Sequence, residues 1–301
     1  MIPNVQVLER IKLSVPFGLQ VWDIATSTNL IDGLDVYVTA GTRFPTRTRA
    51  FANPSGIYCA FSIPGLNRFE LNTDDTANRK KQTRHYKIEV RDPAERFLPF
   101  TFDAHLPAKG LFTGITSRTS PPQLFVLPSG HGSLPVPLVQ QVPLFSSVSR
   151  SVPDTLAVVR AELREFGTGR AAAWSLLTVS VDAVVRGIGL ADQKGRVAVL
   201  FPYPERPRPT LTSPPPATND FRWNVELTAY YKPRPINRPA PAMPDMADVL
   251  EQLNSPRTLY HSTLSPPQVL PPQLLEYRVP LTVRTEITAT GKSSFLFVNP
   301  A

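Results

Sequence analysis

Asn53-Pro54-Ser55-Gly56-Ile57-Tyr58-Cys59-Ala60-Phe61-Ser62-Ile63-Pro64-Gly65 reads as a polar turn, a glycine, a strand and a proline exit. Asp192-Gln193-Lys194-Gly195-Arg196-Val197-Ala198-Val199-Leu200-Phe201-Pro202 repeats the plan. Alternation puts Ile57, Cys59, Phe61 and Ile63 on one face in the first copy, and Val197, Val199 and Phe201 in the second. A period of two marks half-buried strands, so Cys59 is expected inside a core, and the recurrence predicts two β-modules in series.

Working outward, Val36, Val38 and Ala40 alternate with Asp35, Tyr37 and Thr39. Tyr86, Ile88 and Val90 alternate with Lys87, Glu89 and Arg91, and after a turn at Asp92-Pro93 the face returns through Leu98, Phe100 and Phe102. In the second half Val159, Ala161 and Leu163 do the same, as do Trp223, Val225 and Ala229, and Trp174 to Val181 supplies another strand. Trp22, Trp174 and Trp223 are expected as core packing rather than as a sugar platform. The class is all-β: two Ig-like or transthyretin-like sandwich modules in tandem, a proline-rich extended connector, and a C-terminal extension with one short helix. The boundaries are an extended arm over residues 1–16, modules over 17–105 and 151–232, the connector over 106–150, and the extension over 233–301. In that extension Met246, Val249, Leu250 and Leu253 fall at helical spacing behind Asp245, predicting a helix over 245–254, followed by terminal strands.

The 301 residues include 34 prolines against 15 glycines and a single cysteine, which excludes an intramolecular disulfide and multi-cysteine zinc sites. No stretch approaches the roughly 18 apolar residues of a membrane span, and no secretion signal is expected at Met1. A cytoplasmic protein assembled into a particle, without direct membrane insertion, is the expectation. The net charge of +8 favours an acidic partner. The basic clusters lack the aromatic interleaving of a base-reading surface, so nucleic acid is not expected.

Chemistry is sparse. The four histidines, His85, His105, His131 and His261, share no ligand spacing. Ser133 beside His131 lies in a proline-rich connector without a strand-turn-helix setting, and Gly291-Lys292-Ser293 lacks the earlier glycine of a phosphate loop and reads as a turn between strands. Asp74 and Asp75, with Asp32 and Asp35, do not have the spacing of a calcium loop. No catalytic residue, cofactor or metal is therefore predicted. The residues expected to grip partners are Met246, Val249, Leu250 and Leu253 on the helix, Phe295 and Phe297 in the tail, and the basic run Arg79, Lys80 and Lys81.

The stretch Gly187-Ile188-Gly189-Leu190-Ala191-Asp192 through Phe201-Pro202, read with Tyr86 to Phe102, resembles the carboxypeptidase regulatory-like domain, a transthyretin-like β-sandwich. The resemblance implies a fold and not peptidase activity, because no histidine is followed three residues later by glutamate. Leu200-Phe201-Pro202-Tyr203-Pro204, the Trp223 to Tyr231 strand and the tail from Tyr277 to Val298 are similar to structural cap or sheath-end parts of phage-tail-like contractile injection systems. What this implies is a non-enzymatic structural or adaptor protein, homo-oligomeric within a large assembly and docked on protein subunits through an acidic contact surface. Two alternatives stand beside it. One is a carbohydrate or cell-surface binder using loops 41–54 and 66–84 with Tyr37 and Arg79. The other is a hydrolase with an unrecognised site.

Overall fold

The computed structural model describes residues 15–41, 43–71, 83–107, 115, 141–205, 221–233, 239–262, 266–287, 291–293 and 295–299. Among these residues it is all-β apart from two short helices and a 3-10 turn.

The first module is an eight-stranded sheet that curls on itself. Its strands are β1 (Phe17–Asp23), β2 (Thr28–Asn29), β3 (Asp35–Ala40), β4 (Thr46–Ala52), β5 (Ile57–Ala60), β6 (Thr83–Arg91), β7 (Phe100–Pro107) and β8 (Gln141–Leu144), with helix α1 (Leu66–Leu71) between β5 and β6. The order is β2-β1-β5-β4-β3-β6-β7, and β8 runs parallel to β1 on its remaining edge. Every second residue points inward: Val36, Val38, Ile88, Val90, Phe100 and Phe102 are at most 1% exposed. β8 lies in the stretch read as connector, and Val142, Leu144 and Phe145 belong to this module's core.

Strand β5 corrects the opening stretch. Its alternation holds with the opposite parity: Tyr58 and Ala60 are buried, Cys59 is half-buried on the outer face and Phe61 is 56% exposed. The Tyr58 hydroxyl accepts a hydrogen bond from the Leu34 amide at 3.2 Å, and that buried partner decides which face turns inward.

The second module has two facing sheets. One holds β10 (Leu176–Val181), β11 (Val184–Leu190), β13 (Arg222–Tyr230), β14 (Pro256–Arg257) and β16 (Gln273–Glu276). The other holds β9 (Leu156–Glu165), β12 (Arg196–Pro202), β15 (Leu259–Tyr260), β17 (Leu281–Thr282) and β20 (Phe295–Val298). Both β17 and β20 pair parallel with β9. The residues read as an extension thus lie inside this sandwich, with Leu259, Leu275, Val283, Leu296 and Val298 in its core. Gly291-Lys292-Ser293 is not a turn but strand β19 (Gly291–Ser293), paired with β18 (Thr285–Ile287).

Helix α2 (Met246–Glu251), capped by the Asp245 carboxylate on the Ala247 amide, sits where the modules meet. Met246, Val249 and Leu250 share one core cluster with Leu98 and Phe100 of the first module and Trp174, Leu176, Ile188 and Leu190 of the second. A second contact packs Ala25 against Leu156, Val158, Ala198 and Leu200. Those residues alternate with Ala157, Val159 and Val199, which face the sandwich core, so β9 and β12 are apolar on both faces.

Candidate functional site

Three turns share one hydrogen-bond pattern, and two of them lead into or out of the strands that carry the first module's outer face. The Asn53 carboxamide oxygen accepts from the Ser55 and Ile57 amides, and the Asp192 carboxylate accepts from those of Lys194 and Arg196. The Asp92 carboxylate takes the amides of Ala94, Arg96 and Phe97. The fourth residue of each turn is left-handed: Gly56 at φ 74°, Gly195 at φ 82° and Glu95 at φ 53°. The turn at Asp92-Pro93 is legible in the sequence, but its kinship with the other two is not, because glutamate occupies the position where glycine is expected.

The outward face of β4, β3, β6 and β7 is rich in arginine and aromatic side chains. Cross-strand register sets Arg49 opposite Tyr37 and Tyr37 opposite Glu89, with Arg47, Thr39 and Lys87 forming the next row. The Arg47 guanidinium lies 3.5 Å from the centre of the Tyr37 ring and bonds Glu89 at 2.9 Å. Arg91 shares Glu89 at 2.6 Å, and Arg49 reaches Asp35 at 2.6 Å while standing 5.6 Å from the Phe51 ring. Phe44, beside Arg43, is 80% exposed and Phe51 is 65% exposed. A shallow cleft between Asp35, Arg49, Phe51, Tyr58 and Pro93 opens onto the same face. Individually these surface contacts stabilise the fold by about 1 kcal/mol or less. Their significance is compositional: arginine and large aromatics in water are the residues that interface centres collect.

The face ends at His85 and His105, whose rings are 5.0 Å apart, with His85 3.3 Å from Asp103. Among the described residues no group of three His, Cys, Asp or Glu side chains is placed to hold a metal.

The predicted partner-binding residues scatter. Met246, Val249 and Leu250 are buried in the joint between modules, which covers the helix stripe within the chain. Leu253 is partly buried against the same cluster. Phe295 stacks under the Arg164 guanidinium at 3.7 Å, and Phe297 meets Phe166 edge-on at 6.4 Å, both half-buried. Arg79, Lys80, Lys81, Asp74, Asp75, His131 and Ser133 lie outside the described residues. The arginines of β4 were legible as a basic cluster; that they share a face with Tyr37 follows only from the β3–β4 register.

No known protein family and no curated protein matches the chain. Among solved structures, the C-terminal fragment of pilus adhesin SpaC from Lactobacillus rhamnosus GG aligns over 94% of this chain and 98% of that one. Identity is 9% and the TM-score is 0.22, too low for that likeness to bear on function.

Proposed function

We propose that this chain is a non-enzymatic structural or adaptor protein that docks an acidic protein surface onto the outer face of its first module. The observation that carries the reading is the interleaving of Arg47 and Arg49 with Tyr37 and Phe51 on one exposed sheet face, beside exposed Arg43 and Phe44 in the loop that precedes β4, in a chain of net charge +8. Aromatic rings supply area that gains from losing water, and guanidinium forks select carboxylates. More specifically, the partner is a neighbouring subunit in a contractile phage-tail-like particle, with this chain as a terminal component; the support for that is the sequence resemblance of Leu200 to Pro204, the Trp223 to Tyr231 strand and the tail from Tyr277 to Val298. A carbohydrate-binding reading fits the face less well, because the Arg47 guanidinium already occupies one side of the Tyr37 ring that a sugar would stack on.

The test is a photo-cross-linking amino acid placed at Phe51 in the full chain, expressed in the cells that make it, with Leu274 on the second module as control. A defined protein adduct at Phe51 that disappears in Arg47→Glu/Arg49→Glu is the expected result. Equal adducts from both positions overturn the reading.

A further inference from the structure

The face described above adjoins an open strand edge. β4 pairs with β3 over Thr46 to Ala50, but with β5 only at Phe51 and Ala52. Beyond Cys59 the chain is diverted by Ser62 at φ 59° and by Pro64, so β5 stops before reaching the level of Arg49 and Arg47. Which backbone groups face that gap is set by alternation. The Asn53 amide donates to the Ile57 carbonyl at 2.9 Å, so Asn53, Phe51, Arg49 and Arg47 direct their N–H and C=O groups toward the β5 side. The far end of the sheet gives the same phase. Stepping the alternation through β3 and β6 makes Thr101 face outward from β7, where its amide donates to the Pro244 carbonyl at 2.9 Å. The two edges are treated differently: the segment before α2 covers β7 through a parallel bridge between Thr101 and Asp245, while among the described residues nothing pairs with Arg47 or Arg49 on the β5 side.

We infer that the edge of β4 at Arg47 and Arg49 accepts an extended acidic segment of a partner protein as an added strand. The inference rests on the docking reading above and specifies its partner. Residues directly opposite Arg47 and Arg49 would carry side chains on the same outer face as the two guanidiniums, so the incoming strand has carboxylates at every second position. Its intervening residues face the side on which Thr48 is half-buried and Ala50 buried, which suits small apolar side chains. A second copy of this chain is disfavoured as occupant: at +8 each, copies repel, and arginine on an edge strand is itself a barrier to self-pairing.

The probe is a capped synthetic nonapeptide alternating glutamate with valine, compared with a peptide of the same composition in shuffled order and with the alternating peptide N-methylated on the edge that would face β4. The expected result is binding of the alternating peptide at least about tenfold tighter than either control, with amide hydrogen exchange at Arg47 and Arg49 slowed about tenfold or more in the full chain. Arg47→Glu/Arg49→Glu is expected to lose that binding roughly 10- to 100-fold and to accept a lysine–valine alternating peptide instead. Equal binding of the N-methylated peptide, binding without amide protection, or no binding of the alternating peptide overturns the added strand. If the Phe51 cross-link persists in any of those cases, the docking face stands without the strand; if it is lost too, both readings fall.

Discussion

Left-handed backbone at Glu95 and buried phenols at Tyr58 and Tyr86 are places where single side chains decide local energetics. Glu95 occupies the position glycine holds in the two sister turns, so Glu95→Gly is expected to be neutral or stabilising by up to about 1 kcal/mol in chemical denaturation. Gly195→Ala is expected to destabilise strongly, since a Cβ there runs into the Leu163 carbonyl oxygen. The two tyrosines contrast in the same way. Tyr58→Phe leaves the buried Leu34 amide without its acceptor and is expected to cost about 1–2 kcal/mol. Among the described residues the Tyr86 hydroxyl has no hydrogen-bond partner, so Tyr86→Phe is expected to be neutral or slightly stabilising. Burial raises both phenols above their ordinary value. The unfolded chain then releases these protons first, so stability present below about pH 10 is lost as pH rises through the folded-state values. Tyr86→Phe is expected to flatten that alkaline loss in denaturation midpoints measured across pH 9 to 12.

Elements differ in how plainly their sequences announce them. β3, β6 and β7 are legible because one face meets a core and the other meets water, so apolar and polar residues alternate from Val36 to Ala40 and from Tyr86 to Val90. β5 alternates too, but a four-residue strand carrying Tyr58 and Cys59 offers comparable residues on both faces, and parity is settled by the Leu34 bond, which no local pattern encodes. The arginine and aromatic face was half legible: its charges stand in the sequence, its geometry in a pairing between strands. Helix α2 was placed correctly by its spacing, whereas its cover comes from β7 and from Trp174, far away in sequence. Leu250→Ala is expected to cost about 2–5 kcal/mol, measured by urea denaturation, because its cavity would open in a cluster both modules share.

The whole molecule behaves as two cores with a shared joint. The Trp174 indole donates to the Pro241 carbonyl at 2.9 Å, and the Gln252 carboxamide donates to the Trp174 carbonyl at 2.8 Å. Within the first module Arg150 grips Asp23 of β1 through both terminal nitrogens, at 2.6 and 3.0 Å, with the side chains 12% and 5% exposed. Arg150→Ala would strand the Asp23 carboxylate and is expected to cost about 3–5 kcal/mol. Calorimetry of the intact chain is expected to show a single cooperative transition. Trp174→Ala together with Leu200→Ala, which thins both contacts between the modules, is expected to split it into two, and a single sharp transition in that double variant would show that the modules are coupled elsewhere.

The parallel pairing of β20 with β9 has a consequence for synthesis. Residues 156–165 emerge from a ribosome long before residues 295–298, the neighbours that complete their sheet. Until then Leu163 and the rest of that strand's inner row lack one wall, and the nascent second sandwich presents greasy surface to whatever waits at the tunnel exit. The first module's strands, spanning Phe17 to Leu144, have left the tunnel well before, so ribosome-associated chaperones should be found on the later half of the growing chain rather than the earlier.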